Sequence, residues 1–337
     1  MKKALYILLI SGVAAFTGCG LVDEDLSDCE TDFDLDYQMN LVVRMDAQLS
    51  AELNLDSDAP VRSALEGYFG NIFREYASDV DLNFYDTEKD PAWDDALRLH
   101  HEAHTMDAKQ TRYTLFIAKR HYMHLAIANV AQSGSVRLEN STLCHAARLS
   151  LPVKDTLESQ RTGLFTARFP MHVKEGESQH FEVKLYMSNC ASSVVLDTLG
   201  SHIRALRVLA SGFATGFNIC DSTYLFPYSP LVRPDKIEIP GSTDLCYAAV
   251  TFPSRETPDT KAAGEEPSPW RYYVYATLPD GSVTETRLVL HKPLKAGQIK
   301  IIRGKVLENG ATQPGDPTVG VSITTDWKPG SEYEVEF

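Results

Sequence analysis

The chain has 337 residues, of which 43% are hydrophobic, and it carries a formal net charge of −14 at pH 7. This length predicts two domains of ordinary size, and the apolar content is high enough to build hydrophobic cores. Because so acidic a chain is repelled by phosphate groups, the charge argues against a nucleic-acid-binding protein and against binding to anionic lipid headgroups.

The first 18 residues have the pattern of a lipoprotein signal peptide. A basic start precedes the apolar segment 4–16, which is too short to cross a bilayer, since a spanning helix needs about 20 residues. The sequence FTGC at 16–19 then predicts cleavage after Gly18 and acylation of Cys19. The alternative is an ordinary signal peptide, or an N-terminal anchor, with an incidental cysteine. No later segment is apolar enough to span a membrane, so the acyl chains on Cys19 are the predicted anchor.

An acidic segment follows the predicted lipidation site. Positions 23–36 contain eight acidic residues and no basic residue. Repulsion between like charges at this density disfavours compact structure, so 19–33 is predicted to be an extended tether. At 33–37 acidic residues alternate with apolar ones, which predicts the entry of the first strand.

The segment 34–170 is predicted to be a β-sandwich that contains one helix. Apolar residues such as Leu65, Phe69 and Ile72 recur at helical spacing in 61–77, which predicts an amphipathic helix. Elsewhere in this segment apolar and polar residues alternate as they do in strands. The predicted strands are 40–45, 80–85, 113–118, 122–128 and 164–170.

Three histidines and a glutamate lie close together near position 100. His101, Glu102 and His104 lack the His-Glu-x-x-His spacing of a zinc protease, because one residue is missing between them. If the segment is a strand, as its neighbours suggest, His100, Glu102 and His104 lie on one side of it. The favoured interpretation is a half-exposed polar strand face, and no metal site is predicted.

The segment 171–337 is predicted to be a second β-sandwich. The clearest hairpin joins 272–277 to 283–290, because Asp280-Gly281 supplies the positive backbone angle that a tight turn needs. Strand after strand with a single helix indicates an all-β protein built from two sandwiches. The other predicted strands are 183–187, 194–196, 203–209, 299–302, a strand that begins at 321 and the terminal strand 333–337.

The chain contains six cysteines. With Cys19 assigned to lipid, an odd number remains, so at least one thiol is unpaired within the chain. An exported protein can form disulfides. Because the sequence does not fix the pairing, two interpretations stay open: a disulfide bridge, or buried free thiols. The absence of a CxxC pair argues against a zinc ribbon and against a thioredoxin-type site. The five remaining cysteines are Cys29, Cys144, Cys190, Cys220 and Cys246.

No catalytic or cofactor motif is present in the sequence. It contains neither a Gly-x-Ser-x-Gly nucleophile motif nor a dinucleotide-binding loop. The many carboxylates are uninformative without geometry. We therefore predict that the protein is not an enzyme and uses no cofactor.

Both ends of the mature chain resemble the FimB-type fimbrial anchor family of Bacteroidetes, the fimbrillin-associated lipoproteins. Members of that family place an acidic Leu-Ser-Asp-Cys stretch just after the lipidated cysteine, as DEDLSDC does here at 23–29, with Glu30 where the family usually has proline. The ending DWKPG at 326–330, followed by a final alternating strand, is similar as well. The acidic segment also resembles a surface-export signal. The resemblance spans the mature chain, although the middle matches only in its succession of predicted strands.

The resemblance implies two tandem transthyretin-like β-sandwich domains, with a short helix inserted in the first. It also implies a place at the base of a cell-surface fimbrium, anchored to outer-membrane lipid through acylated Cys19. Polymerising subunits of such fimbriae lose their lipid and first strand by cleavage after an arginine, whereas an anchor keeps both. The first basic residue after Cys19 is Arg44, inside a predicted strand, so we expect the first strand to stay in place.

The terminal strand is the candidate donor in assembly. Tyr333, Val335 and Phe337 would pair with a fimbrial structural subunit by β-strand addition. The alternative is that this strand is only an edge strand of its own sandwich.

Two other functions stay open at this point. A tip or accessory adhesin of the same fimbrium is the nearer one. The other is a glycan-binding surface lipoprotein, which would present coplanar tryptophans or tyrosines on one surface. Trp93, Trp270 and Trp327 lie far apart in the sequence, which disfavours this second alternative slightly. The sequence identifies neither the partner subunit nor a receptor.

Overall fold

Alternating apolar and polar residues form strands along most of the chain, as predicted. The structure, a computed structural model, describes residues 35–43, 59–88, 96–105, 111–256 and 269–327. Within these ranges it contains 22 strands, one α-helix and a short 3-10 helix at Ala131–Ser133. The prediction of an all-β fold class with a helix in its first half is confirmed. No helix in the described part of the chain is long and apolar enough to cross a membrane.

Several predictions fall on residues outside these ranges. They concern the signal peptide with Gly18 and Cys19, the acidic tether, Arg44, and the terminal strand with its residues Tyr333, Val335 and Phe337. These predictions stay as they were made.

The strands form four sheets, and the helix is α1 (Ala59–Ile72). The strands in chain order are β1 (Leu35–Val42), β2 (Asp79–Asp86), β3 (Arg98–Thr105), β4 (Arg112–Leu115), β5 (Arg120–Ala128), β6 (Arg137–Glu139), β7 (Arg148–Ser150), β8 (Thr156–Glu158), β9 (Phe165–Val173), β10 (Gln179–Met187), β11 (Cys190–Asp197), β12 (Ala205–Ser211), β13 (Gly216–Asn218), β14 (Thr223–Leu225), β15 (Leu231–Arg233), β16 (Asp235–Ile237), β17 (Leu245–Thr251), β18 (Trp270–Thr277), β19 (Val283–Leu290), β20 (Ile299–Val306), β21 (Thr312–Pro314) and β22 (Val319–Trp327). Sheet 1 has the order β3-β2-β5-β9-β10-β1-β4, and sheet 2 has the order β14-β13-β7-β6. Sheet 3 has the order β16-β17-β11-β20-β21, and sheet 4 has the order β22-β19-β18-β12-β15-β8.

The sheets pack in two face-to-face pairs. One face of sheet 1 packs on sheet 2 through residues such as Leu125 on β5 and Phe217 on β13. Sheet 3 packs on sheet 4 through residues such as Val194 on β11 and Tyr272 on β18. Two sheets that bury their apolar faces against each other make a sandwich, so the structure contains the two sandwiches that were predicted.

The helix α1 joins the two sandwiches. Its buried residues Val61, Leu65, Phe69 and Ile72 belong to one continuous core, which also contains residues of sheet 1 and of sheet 3. The face that the helical spacing predicted is therefore the buried face. A helix with one apolar stripe gains most of its stability from such packing.

The predicted span of this helix is wrong at its C-terminal end. The prediction of 61–77 compares with the observed Ala59–Ile72. The carbonyl oxygen of Ile72 accepts a hydrogen bond from the backbone N–H of Gly163, at 2.9 Å. In a longer helix the N–H of Tyr76 would donate to that oxygen, so the bond to Gly163 takes the place of the next helical turn. Phe73 and Ala77 are still buried, but in the segment that leads to β2.

Strands cross the predicted domain boundary at 170/171. That boundary falls within β9, and β10, which follows it, lies in sheet 1 beside β9 and β1. In sheet 2, β13 pairs with β7, and in sheet 4, β15 pairs with β8. Three of the four sheets therefore contain strands from both predicted segments. The division into two domains stays a prediction.

Candidate functional site

The first strand is an interior strand of sheet 1, next to the edge strand β4. All eight residues of β1 pair in parallel with β10, from Leu35 opposite Gln179 to Val42 opposite Tyr186. On its other side β1 pairs antiparallel with β4 over four residues. The strand lies at 35–42, a few residues before the predicted 40–45. Because both of its edges are occupied, its removal would expose the edges of two neighbours at once.

The inward face of β1 is anchored in the core. Leu35, Tyr37 and Met39 are fully buried. The outward face carries polar contacts between exposed side chains, such as Asp36 with His180 at 2.9 Å. Exposed pairs of this kind contribute little to stability, so the inward face holds the strand in place.

Tyr37 and His124 form a hydrogen-bonded pair inside sheet 1. The hydroxyl of Tyr37 lies 2.8 Å from Nε2 of His124, and Nδ1 of His124 lies 3.0 Å from the carbonyl oxygen of Asn83. A carbonyl oxygen only accepts, so Nδ1 carries the proton and Nε2 accepts from the tyrosine. The ring of Phe84 stacks on the imidazole with centroids 4.3 Å apart. His124 therefore fills an apolar site as a neutral residue, on β5, where the sequence predicted a strand.

Burial of His124 makes folding sensitive to acid. Burial lowers the pKa of His124 to about 4, against about 6.5 in an unfolded chain. Between these values the unfolded state binds more protons, so stability is lost as the pH falls from about 6.5 towards 4. One pKa unit corresponds to about 1.4 kcal/mol, so we expect this residue to cost roughly 3 kcal/mol across the window.

Urea unfolding at several pH values between 7 and 4 checks this expectation. In His124→Gln the fall in unfolding free energy between pH 6.5 and 4 should be smaller than in the unaltered protein by about that amount. His180→Gln, which changes an exposed histidine of the same sheet, is the matched control and should keep the original slope. Equal slopes in the two variants would contradict the assignment.

The histidine-rich segment lies on the edge strand β3. His100, Glu102 and His104 share one face of it, as predicted, and Nε2 of each histidine lies 2.9 Å from one oxygen of the Glu102 carboxylate. Their side chains are about one third, one fifth and one third exposed. The ring of His104 also lies 4.9 Å from that of Tyr113 on β4, so the two edge strands of sheet 1 approach each other and the sheet is strongly curved. Among the described residues, no three or more His, Cys, Asp or Glu side chains are grouped so that they could hold a metal ion.

Among the described residues, β22 is an edge strand of sheet 4. Within the described residues it pairs with β19 alone. Val321 and Ile323 stand opposite the buried residues Leu288 and Thr286, yet they are 38% and 49% exposed. At this side of the sandwich the facing sheet 3 ends in the short strand β21, which has only three residues. Sequence alternation predicted a strand here, but it could not show that two residues of its inward face are exposed.

Trp270 is the one tryptophan whose side chain lies in the described part of the structure. Trp270 is almost fully buried, and its Nε1 donates to the carbonyl oxygen of Lys292 at 3.0 Å. The half-buried rings of Tyr273 and Tyr275 on β18 are nearly parallel, at 11°, with centroids 6.5 Å apart. Nearly parallel rings on one face of a strand are the kind of arrangement that the glycan-binding alternative requires.

Comparison with known proteins shows a shared fold. No family model matches the sequence, and no curated protein matches it either. A candidate adhesin from Bacteroides ovatus is 10% identical, with a TM-score of 0.51 over 86% of this chain and 95% of that one. A candidate polysaccharide-binding protein from Bacteroides thetaiotaomicron is 9% identical, with a TM-score of 0.52 over 88% and 99%. The fimbrial anchor protein of Porphyromonas gingivalis, 10% identical, has a TM-score of 0.46 over 87% and 100%.

Proposed function

We propose that the chain is a lipid-anchored subunit of a cell-surface fimbrium and that it holds the base of the fimbrium to the outer membrane. The observation that carries this proposal is β1, which is paired along all of one edge and half of the other and is buried along its inward face. The fold shared with a candidate adhesin of Bacteroides supports a place on the cell surface. Three parts of the proposal are inferred from the sequence alone: the lipid on Cys19, the tether and the export signal.

The position of β1 suits a strand that carries load. Cys19 lies 16 residues before Leu35, so a pull on the fibre would reach the membrane through the tether and β1. The ladder bonds of a sheet run across the strands, and a pull along β1 would load the bonds to β10 and β4 together. A subunit that gave up this strand would lose the connection to its own lipid.

The same position argues against removal of the strand. Release of the segment before Arg44 after a cleavage there would require β1 to leave both neighbours and to expose Leu35, Tyr37 and Met39. The N-terminus of the mature surface protein should therefore be Cys19, and a mature start just after Arg44 would contradict the anchor role.

The partner in this proposal is a fimbrial structural subunit. Strand addition needs an unpaired edge and apolar side chains that a second strand can cover. Within the described part of the chain the edge of β22 supplies both, with Val321 and Ile323 half-exposed on its inward face. The terminal residues Tyr333, Val335 and Phe337 are the proposed donor strand on the same C-terminal side of the sequence.

Deletion of the gene tests the anchor role. We expect the deletion strain to shed fibres into the medium and to make abnormally long ones, because no subunit holds the base. A Cys19→Ser protein should be produced but should not retain the fibres. Cys29→Ser is the matched control, since it changes the next cysteine outside the processing site, and it should retain them. Fibres of normal length that stay attached in the deletion strain would remove the anchor role.

Two alternatives have defined outcomes in the same strains. A tip or accessory adhesin predicts attached fibres with reduced adhesion. A glycan-binding lipoprotein is favoured by the parallel rings of Tyr273 and Tyr275, and it predicts normal fibres together with loss of polysaccharide binding.

A further inference from the structure

Of the four cysteines within the described residues, two are in contact with each other and two are kept apart by a sheet. Cys190 on β11 and Cys246 on β17 belong to sheet 3, but they lie on opposite faces of it. Cys190 enters the core between sheets 3 and 4, whereas Cys246 enters the core that contains α1. Side chains that point to opposite faces of one sheet cannot be joined by a disulfide without movement of the backbone.

Cys144 and Cys220 meet inside the core between sheets 1 and 2. Their Sγ atoms lie 2.9 Å apart, although the residues are 76 positions apart in the sequence. Both residues are buried in the cluster that contains Leu149 and Phe217. The separation lies between a covalent S–S bond of about 2.05 Å and the roughly 3.5–4.0 Å contact of smaller carbon atoms. The two sulfur atoms are therefore closer than ordinary packing would bring them.

The backbone fixes the positions of both cysteines. They lie in the turns that adjoin the antiparallel pair β7 and β13, in which Arg148 stands opposite Asn218, and next to that pair the N–H of Ile219 donates to the carbonyl oxygen of Ala147 at 3.1 Å. The N–H of Cys144 donates to the carbonyl oxygen of Ala96 at 3.0 Å. The N–H of Cys220 donates to the Asn218 side chain at 3.1 Å. Formation of a bond therefore needs side-chain rotation and no rearrangement of the strands.

We propose that Cys144 and Cys220 form a disulfide in the exported protein, while Cys190 and Cys246 stay reduced. The inference rests on the export that is part of the proposed function. The oxidant is a disulfide-bearing thiol oxidant, such as an oxidoreductase of the exported compartment or glutathione disulfide. Two cysteine thiols and one oxidant disulfide become one protein disulfide and two oxidant thiols, so two electrons and two protons pass to the oxidant.

Burial determines when this bridge forms. Contact with Cys220 and burial both raise the pKa of Cys144 well above its usual range. Exchange requires a thiolate, so the folded protein reacts slowly and the bridge forms before sheets 1 and 2 close over it. Burial also raises the pKa of Cys190 to about 12 and that of Cys246 to about 11, which keeps those two thiols unreactive.

The bridge would tie together strands from both predicted domains. Cys144 lies beside β7 in the segment 34–170, and Cys220 lies beside β13 in the segment 171–337. Sheet 2 is built from two strands of each segment. A covalent link at its end prevents the two segments from separating at this sheet when a fibre is pulled.

Peptide mass spectrometry on the full chain, exported by its own signal peptide, tests the proposal. Free thiols are alkylated under denaturing conditions before digestion. We expect one linked peptide pair that contains Cys144 and Cys220, with alkylated Cys190 and Cys246. Alkylated Cys144 and Cys220 in the exported protein would overturn the proposal, and so would a linked pair that contains Cys190 or Cys246.

A thermal measurement adds a readout that does not depend on peptide recovery. Reductant should lower the unfolding midpoint of the purified protein by roughly 5–10 °C. The double variant Cys144→Ala, Cys220→Ala should lose this response to reductant. The matched variant Cys190→Ala, Cys246→Ala should keep it, because it removes two buried thiols and no bridge. A response that is the same in both double variants would contradict the pairing.

The fibre-retention assay measures the proposed function separately. A bridged protein that retains no fibres would support this inference and remove the anchor role. An alkylated pair in a protein that does retain fibres would overturn this inference and leave the anchor role in place.

Discussion

Tyr37→Ala is expected to lower the free energy of unfolding by about 3–5 kcal/mol, which is the usual cost of removing a buried aromatic side chain. Tyr37 is fully buried on the inward face of β1, and its hydroxyl is the partner of a buried histidine nitrogen. The variant loses the packing of the ring and leaves Nε2 of His124 without its donor. Urea unfolding at pH 7 measures the change, and loss of β1 pairing should appear as faster amide exchange in β10.

Tyr37→Phe separates the hydrogen bond from the packing. This variant keeps the ring and removes only the hydroxyl, so its cost is that of an unsatisfied buried acceptor, about 1–3 kcal/mol. Asp36→Ala changes an exposed neighbour on the same strand and should cost far less, because exposed ion pairs contribute little. If Tyr37→Ala were no more costly than Asp36→Ala, then β1 would not be held by its inward face, and the argument for a retained first strand would fail.

The sequence predicted strands well because their periodicity is local. Alternation identified β2, β5, β9 and the hairpin of β18 and β19, and in that hairpin Gly281 has the positive φ of 85° that the turn requires. The helix ended early because the carbonyl of Ile72 bonds to Gly163, a partner 91 positions away. Alternation assigns residues to faces of a strand, but it does not say which strands will pair.

The residues of the candidate site show the same difference between features that follow from local sequence patterns and features that depend on long-range contacts. The shared face of His100, Glu102 and His104 followed from strand spacing alone. The pairing of Tyr37 with His124 and of Cys144 with Cys220 spans 87 and 76 positions, and no local pattern marks either pair. The parallel placement of β1 beside β10 likewise depends on long-range order of the sheet. The exposure of Val321 and Ile323 on β22 depends on what packs against the strand in three dimensions, so composition could not reveal it.

Val321→Lys combined with Ile323→Lys is expected to weaken binding of the fimbrial structural subunit by roughly 10- to 100-fold, or about 1.4–2.7 kcal/mol. In strand addition these two side chains would be covered by the incoming strand, and each apolar side chain that is fully buried contributes about 1.5–3 kcal/mol. Inward-pointing charges on an edge strand block such pairing, and natural sheets use them for that purpose. Co-purification of the partner subunit with the variant measures the change.

Ser322→Lys combined with Thr324→Lys is the matched control for this edge. It adds the same two charges to the same strand, but on the alternate face, so it should reduce binding much less. The thermal midpoint of each double variant must stay near that of the original protein, since both inward residues are already 38–49% exposed and lose little packing when they are replaced. If the inward and outward variants bound the partner equally, then the edge of β22 would not be the docking surface. The terminal strand with Tyr333, Val335 and Phe337 would then be the only proposed contact with the next subunit.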